Sequence, residues 1–195
     1  MKTKTDKKHT PVSPFTSPKK WETWLAKNHA SSQGVWLQIY KKASEIKTVS
    51  YDQALDAALC YGWIDGQKHK YDEQSWLQKF TPRRPKSLWS QRNREHIARL
   101  IKEKRMKAAG LKQVELAKKD GRWDAAYASP SNATIPTDFL TALSKNKKAE
   151  MFFGTLSKTN LYSISWRLQT AKKPETRAKR MKAILEMLAK NEGFR

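Results

Sequence analysis

The chain has 195 residues, a net charge of +22 and a mean hydropathy of −0.85, so it can bury a core beneath a strongly charged surface. Its single cysteine excludes an internal disulfide and a Cys-rich metal site, and its four scattered histidines lack ligand spacing, so neither a metal nor a cofactor is predicted. No apolar run approaches the roughly 20 residues of a transmembrane helix, and no secretory h-region follows the lysine-rich start, which predicts a cytoplasmic protein.

The start of the chain predicts a tail, a helix and a strand. Residues 1–16 are rich in Lys, Thr, Ser and Pro and have little to bury, which predicts a disordered basic tail. Ser17 and Pro18 are typical of the N-cap and first position of a helix, which should end near Asn28. Alternating apolar residues in 35–43 then predict a strand that is covered on both faces.

A capped helix opens the central part of the chain. Ser50 and Gln53 have the spacing of a capping box, which predicts a helix over 51–61. Gly62 is well placed as its left-handed terminating residue. The segments 63–66 and 76–81 follow and predict two short strands joined by a polar loop, 67–75, with no strand after them.

From residue 87 onward the pattern is helical. Pro85 is expected at the entrance of the first of these helices, with Ser87 or Ser90 as its cap. Further helices are predicted to start at Thr137, after Asn146, after Ser157 and at Pro174.

Together these elements predict an α+β fold, with a small, mostly antiparallel sheet and packed helices, followed by an all-helical C-terminal region. The predicted organisation is a basic tail over 1–16, a core domain over 17–127, a linker over 128–136 and a helical region over 137–195.

The positive charge is concentrated in three segments. Residues 1–20 carry six basic residues against one acidic, 79–107 carry eleven against two, and 167–182 carry seven against one, so +20 of the net charge lies there. Such clusters attract nucleic acid, anionic lipid or phosphorylated metabolites. They also disfavour direct capture of cationic bacteriocins, because like charges repel.

The Pro-Arg-Arg-Pro-Lys-Ser turn is the best candidate for a ligand site. Arg83, Arg84 and Lys86 offer guanidinium and ammonium donors where a helix is expected to start, and both favour an anion. An alternative is a basic turn whose arginines pair with Asp65 or Asp72. The predicted ligand-binding residues are Tyr61, Asp65, Arg83, Arg84, Lys86, Ser87, Trp89 and Asn93.

Other reactive or aromatic residues are better explained as structural. Cys60 falls in the last turn of its helix, where the dipole disfavours a thiolate, so it is predicted to be buried and inert. Asp65 as a general base would need a raised pKa, which neighbouring arginines oppose, so a structural role is favoured. The eight tryptophans are interpreted as core anchors and not as stacking platforms.

Four motifs carry a resemblance to a known family: SYDQALDAALCYGWIDGQ, FTPRRPKSLWSQRN, AGLKQVELAKKDGRWDAAY and AKKPETRAKR. With them the chain resembles the YdeI/OmpD-associated family, also called the OmdA or bacteriocin-protection family. This resemblance implies an association with an outer-membrane porin and with resistance to antimicrobial peptides, but it implies no catalytic residues. Lys104 stands where a glycine is expected in such proteins, which bears on where the helix before Met106 ends.

The leading hypothesis is a cytoplasmic protein that binds an anionic, phosphate-bearing ligand or nucleic acid. One alternative is an enzyme that acts on a small anionic substrate with Asp65 and the Arg83–Arg84 turn. Another is an interaction module that docks an acidic protein partner. No zinc finger, RNP motif or Walker loop is present, so sequence-specific readout of nucleic acid is not predicted.

Overall fold

The structure, a computed structural model, describes residues 12–194. They form two compact units, one of residues 12–87 and 93–123 and the other of residues 88–92 and 124–194. The first contains a four-stranded sheet with helices, and the second contains the C-terminal helices. The predicted α+β class with a helical C-terminal region is therefore confirmed. The predicted domain bounds stay a prediction.

The described residues contain four strands and eight α-helices, with a short 3₁₀ helix at Lys42–Ser44. In chain order the elements are β1 (Val12–Pro14), α1 (Pro18–Asn28), β2 (Val35–Tyr40), α2 (Tyr51–Cys60), β3 (Trp63–Lys70), β4 (Ser75–Pro82), α3 (Gln91–Lys102), α4 (Ala108–Lys119), α5 (Thr137–Leu143), α6 (Lys147–Phe153), α7 (Lys158–Gln169) and α8 (Pro174–Ala189).

The sheet has the strand order β1-β2-β4-β3. Strand β1 pairs with β2 in parallel, and the other two pairs are antiparallel. The hairpin of β3 and β4 is longer than predicted, and the loop expected over 67–75 is wrong, because β3 continues to Lys70. Residues 66–70 are exposed along the edge of the sheet, so the strand carries polar side chains and its sequence lacks apolar alternation.

The prediction of a disordered tail over 1–16 is wrong for residues 12–14, which form a strand. Residues 1–11 lie outside the described residues. Residues 12–14 form β1 by backbone pairing, which requires no apolar side chain. Phe15 then packs on Trp21 with 5.1 Å between ring centroids, and its carbonyl accepts a hydrogen bond from the N–H of Val49 at 3.0 Å. Backbone pairing and the aromatic contacts of Phe15 with Trp21 and Trp24 therefore order a segment of low hydrophobicity.

The core of the first unit lies between the sheet and helices α1 and α2. Trp21 donates its indole N–H to the carbonyl of Ala54, and Trp63 donates to the carbonyl of His29, both at 3.0 Å. Both rings are therefore buried with their polar atom paired. The buried members of this core are Trp21, Leu25, Val35, Leu37, Ile39, Val49, Ala54, Ala57, Ala58, Trp63 and Phe80.

Helix α2 begins and ends as its sequence predicts. The Ser50 side chain accepts a hydrogen bond from the N–H of Gln53, and the Gln53 side chain accepts one from the N–H of Ser50. Gly62 has a left-handed φ of +74°. A Cβ on Gly62 would lie 2.9 Å from the carbonyl oxygen of Ala109, so glycine is also needed for the close approach of α4.

The helix predicted to be entered at Pro85 begins at Gln91 instead. The N–H of Ser87 donates to the carbonyl of Arg84 at 3.1 Å, which closes a turn. Lys86 has a left-handed φ of +64°, and this conformation cannot continue into a right-handed helix. The basic turn therefore precedes α3 by several residues and does not lie at its N-terminus.

The second unit is built from α5 to α8. The segment before them, predicted as a linker, has no helix or strand but is attached to α7: the Ser165 hydroxyl donates to the carbonyl of Thr134 at 2.7 Å, and the Gln169 side chain accepts from the N–H of Ala128 at 3.3 Å. The buried core of this unit consists of Phe139, Leu143, Ala149, Ile164, Leu168, Ile184 and Leu188.

Candidate nucleic-acid interface

The two faces of the sheet differ in composition. Val35, Leu37 and Ile39 of β2 point into the core, while Trp36 and Tyr40 on the opposite, outer face keep part of their surface exposed. The prediction that β2 is covered on both faces therefore holds fully only for the inner face. The outer face therefore leaves aromatic surface of β2 open to a ligand.

A cluster of aromatic and basic side chains lies on this outer face. Trp36 is paired across the sheet with Lys79, whose ammonium nitrogen lies 5.3 Å from the centroid of the Trp36 ring. The imidazole of His69 on β3 lies 4.9 Å from the same ring, centroid to centroid. His69 is paired with Leu77, so Trp36 and His69 lie on either side of β4. We call Trp36, His69 and Lys79 the outer-face cluster.

This cluster was missed by the sequence analysis because its members are far apart in the chain. The strand order places β4 between β2 and β3, and only this order brings Trp36 and His69 together. The available signal was the alternation in β2, where Trp36 occupies the face opposite to the apolar residues. Aromatic side chains on an open sheet face, combined with cations, can stack unpaired bases and contact phosphates.

The predicted basic turn contains one buried and two exposed cations. Arg83 is only 6% exposed, its backbone N–H donates to the carbonyl of Gly62 at 3.0 Å, and its side chain donates to the Ser87 hydroxyl at 3.1 Å. Arg84 and Lys86 are exposed. The buried guanidinium holds the turn in place, and the two exposed cations remain accessible to an anion.

The two aspartates proposed as partners of these arginines have other partners. Asp65 accepts a hydrogen bond from the Tyr51 hydroxyl at 2.7 Å. Asp72 accepts from the backbone N–H groups of Gln74 and Ser75 and closes the β3–β4 turn. Within residues 12–194 neither carboxylate pairs with an arginine, so the predicted pairing of the turn with Asp65 or Asp72 is wrong.

The other predicted site residues, Tyr61, Trp89 and Asn93, lie in different surroundings from the exposed cations of the turn. The Tyr61 ring lies against the His29 ring at 5.2 Å, and burial raises the pKa of its hydroxyl. Trp89 and Asn93 are buried, at 1% and 8% exposure, and Trp89 belongs to the second unit. Of the predicted set, the structure therefore brings Arg83 and Ser87 into contact. The ligand-binding role of the set stays a prediction.

Two family models match the chain. Residues 13–113, just over half of it, match a domain of unknown function, DUF8412. Residues 132–191 match a family described as "Bacteriocin-protection, YdeI or OmpD-Associated". The chain belongs to the DUF8412 family, and its C-terminal part is similar to the YdeI/OmpD-associated family. Neither a curated protein nor a solved structure gives a significant match.

Each of the two matches covers a different set of helices and strands. The DUF8412 match contains the outer-face cluster, the basic turn and the motifs at 50–67 and 80–93. The YdeI/OmpD-associated match contains helices α5 to α8 and the motif at 171–180. The predicted resemblance to the YdeI/OmpD-associated family is thus confirmed over residues 132–191, and the candidate interface lies in the DUF8412 part of the chain.

A buried carboxylate fixes the DUF8412 helices α2 and α3 to each other. Asp56 is 7% exposed and receives hydrogen bonds from the Arg99 guanidinium at 2.6 and 2.7 Å. The His96 Nδ1 atom lies 2.7 Å from the same carboxylate. Burial raises the pKa of Asp56, but the hydrogen bonds from Arg99 and His96 outweigh it, so the pKa lies below its ordinary value. Arg99 is therefore partly engaged within the fold.

Cys60 follows Asp56 by one helical turn and is 1% exposed, so its predicted burial is confirmed. Burial raises the pKa of its thiol to about 11. At neutral pH the side chain is therefore a thiol, which is a poor nucleophile.

The basic segment of the YdeI/OmpD-associated part has its arginines engaged and its lysines exposed. Arg177 forms an ion pair with Asp138 of α5, and Arg180 donates to the carbonyl of Arg167 at 2.7 Å. Lys172, Lys173 and Lys179 are exposed, and none of them is in an ion pair with a described residue. The arginines stabilise the helices, while the lysines contribute charge to the surface.

Within residues 12–194 no group of three or more His, Cys, Asp or Glu side chains could hold a metal ion. Over the same described range, every helix is too short or too polar to cross a membrane.

Proposed function

We propose that the protein binds nucleic acid without sequence specificity and that unpaired bases stack on the outer face of the sheet. The observation that carries this proposal is the outer-face cluster. Trp36 offers a partly exposed aromatic surface. The Lys79 ammonium nitrogen lies 5.3 Å from the centroid of its ring, and the centroid of the His69 ring lies 4.9 Å from the same centroid. An aromatic platform beside cations is the arrangement by which proteins hold single strands of any sequence.

The charge of the chain supports the proposal independently of the cluster. The net charge is +22, and exposed cations such as Arg84, Lys86 and Lys173 are available for phosphate contacts. Each phosphate that is neutralised releases a counterion, so these contacts add affinity without reading the base sequence. A cytoplasmic location is part of the proposal, because nucleic acid is the abundant polyanion of that compartment. The association with bacteriocin resistance would then be indirect, through a nucleic acid and not through capture of a cationic peptide.

The test is the affinity for a labelled oligothymidylate, measured by fluorescence anisotropy. Trp36→Ala should weaken binding about tenfold, because loss of a stacking platform costs about 1–3 kcal/mol per base. The affinity for duplex DNA should change little, since paired bases cannot stack on the sheet. Lys79→Gln should reduce the slope of log affinity against log salt by about 0.7, the value for one phosphate contact with a single strand.

A matched control is Trp166→Ala. Trp166 is 38% exposed and lies on α7, outside the sheet, so this change should leave the oligothymidylate affinity intact. Equal weakening by Trp36→Ala and Trp166→Ala would show that the sheet face is not the binding surface.

A further inference from the structure

A second feature of the first unit is a cleft at the C-terminal end of β2. It has a volume of about 630 Å³ and is formed by the end of β2, the connection from β2 to α2, the start of α2 and Trp76 of β4. Small-molecule sites typically measure about 300–1,000 Å³. Its walls contain none of the outer-face cluster.

The connection from β2 to α2 is anchored by a backbone hydrogen bond at each end. The Lys41 N–H donates to the carbonyl of Gln74 at 2.8 Å, and the Val49 N–H donates to the carbonyl of Phe15 at 3.0 Å. Between these anchors Glu45 has a left-handed φ of +58°, which turns the chain after the 3₁₀ helix. After this turn Ile46 lines the entrance of the cleft, with 44% of its surface exposed.

The interior of the cleft is apolar. Ile39, which is 1% exposed, and the partly buried rings of Tyr51 and Trp76 line it together with Ile46. The Tyr51 hydroxyl already donates to Asp65, so the ring is held in place. An apolar molecule that enters would cover surfaces of Ile46 and Trp76 that are now in contact with water.

The rim of the cleft is basic. Lys41, Lys42 and Lys47 line it against one acidic residue, Glu45. Lys42 and Lys47 are exposed and form no ion pair with a described residue. The Lys68 ammonium adds a further positive charge 4.9 Å from the Trp76 ring. The rim therefore complements an anionic group.

We propose that this cleft binds a small, free amphipathic organic anion. Its apolar body lies against Ile46, Tyr51 and Trp76, and its acid group lies between Lys42 and Lys47. This site is separate from the proposed nucleic-acid surface, since its lining contains no residue of the outer-face cluster and it requires an apolar body that a nucleic-acid backbone lacks.

The first test compares two fluorescent probes of similar shape. Anilinonaphthalene sulfonate carries an acid group, and N-phenylnaphthylamine is neutral. The sulfonate should bind more tightly to the wild-type protein, and decanoate should displace it more effectively than decanol. Equal affinity for the two probes, or equal displacement by the acid and the alcohol, would overturn the role of the lysine rim.

Variants then locate the site. Ile46→Asp should weaken sulfonate binding about tenfold, because it removes apolar contact and adds a repelling charge. Leu116→Asp is the matched control, since Leu116 on α4 is 43% exposed and does not line the cleft. The double change Lys42→Gln and Lys47→Gln should weaken the sulfonate but not the neutral probe. An effect of Leu116→Asp equal to that of Ile46→Asp would show non-specific binding and end the proposal.

A vesicle-binding experiment distinguishes binding of a free ligand from insertion into a membrane. Vesicles of phosphatidylglycerol should bind wild-type protein and Ile46→Asp with similar affinity, because their attraction comes from the overall charge. The contrary result would be that Ile46→Asp abolishes vesicle binding while decanoate still displaces the sulfonate from this variant as it does from the wild-type protein. The connection from β2 to α2 would then be a membrane-inserting segment, and the proposal of a free ligand would be wrong. None of these outcomes depends on oligothymidylate binding.

Discussion

At the scale of single residues, Asp56 is the carboxylate on which the packing of α2 against α3 depends. Its two hydrogen bonds from Arg99 and its contact with His96 offset the cost of burial. Asp56→Asn removes the charge while keeping the size, and it should lower the free energy of unfolding by about 1.5–3 kcal/mol. Chemical denaturation measures this loss.

A matched control for Asp56 is Glu103→Gln. Glu103 also pairs with Arg99, but its side chain is 39% exposed, so the free energy of unfolding should change much less than in Asp56→Asn. An equal loss in both variants would mean that burial of Asp56 is not what makes its pairing important.

The same aspartate sets a dependence of stability on pH. Its folded pKa is lowered from the ordinary value of 3.8, so the folded state favours the ionised form. This contribution is fully present above pH 3.8 and is lost as the pH falls through the lowered folded pKa. The difference in stability between the wild-type protein and Asp56→Asn should therefore narrow as the pH is lowered below 3.8. A constant difference would contradict the assignment.

The arginines of the basic turn should behave differently from each other. Arg83 is 6% exposed and bonded to Ser87, so Arg83→Ala should destabilise the fold by about 1–3 kcal/mol. Arg84 is exposed, and Arg84→Ala should change stability by about 0.5 kcal/mol or less. Melting curves of both variants with and without phosphate check this. If phosphate protects the wild-type protein and loses its effect in Arg84→Ala, the turn binds anions as the sequence predicts.

At the scale of secondary-structure elements, the C-terminus of α3 contains a strained residue. Lys104 has a left-handed φ of +56°, its N–H donates to the carbonyl of Ile101, and the N–H of Arg105 donates to the carbonyl of Leu100, which together form a Schellman motif. This is the position where a glycine was expected from the family resemblance. Lys104→Gly should stabilise the protein by about 0.5–1 kcal/mol, because glycine adopts this conformation without steric cost.

The control for Lys104→Gly is a glycine substitution that is expected to lower the stability instead of raising it. Lys112 is exposed within α4, and Lys112→Gly should destabilise by about 1 kcal/mol. Thermal unfolding of the two variants compares them directly. Destabilisation by both changes would show that Lys104 makes a contact that outweighs its backbone strain.

Elements whose signals are local could be predicted from the sequence, and those that depend on distant partners could not. The capping box of Ser50 and Gln53 lies within four residues, so the start of α2 was predicted correctly. Strand β1 was missed because it forms by backbone pairing with a strand more than twenty residues away. The start of α3 was misplaced because Pro85 fits both a turn and a helix entrance, and only the backbone of Lys86 distinguishes them.

The candidate site follows the same rule. The exposed cations of the turn could be read from the sequence, but the outer-face cluster could not, because it requires the strand order β2-β4-β3. The tryptophans show both outcomes: Trp21, Trp63 and Trp89 are buried core anchors as predicted, and Trp36 is not.

At the scale of the whole molecule, the charge balance governs what the protein can bind. Its net charge is +22. The arginines that are buried or in ion pairs include Arg83, Arg99, Arg105, Arg122 and Arg177, and they are a small part of the 40 basic residues. The exposed remainder creates a positive potential that attracts a polyanion over a distance set by the ionic strength. Binding that arises in this way is strong at low salt and insensitive to sequence.

The most direct test of the proposed function is the affinity of the wild-type protein for labelled oligothymidylate as the salt concentration is varied. If about six phosphates are neutralised, the affinity should fall about 300-fold between about 50 and 200 mM salt, because the slope for a single strand is about −0.7 per phosphate. A second oligonucleotide of mixed sequence should give a similar affinity and a similar slope. An affinity that does not change with salt, a strong preference for one of the two sequences, or no binding at low salt would contradict the proposal.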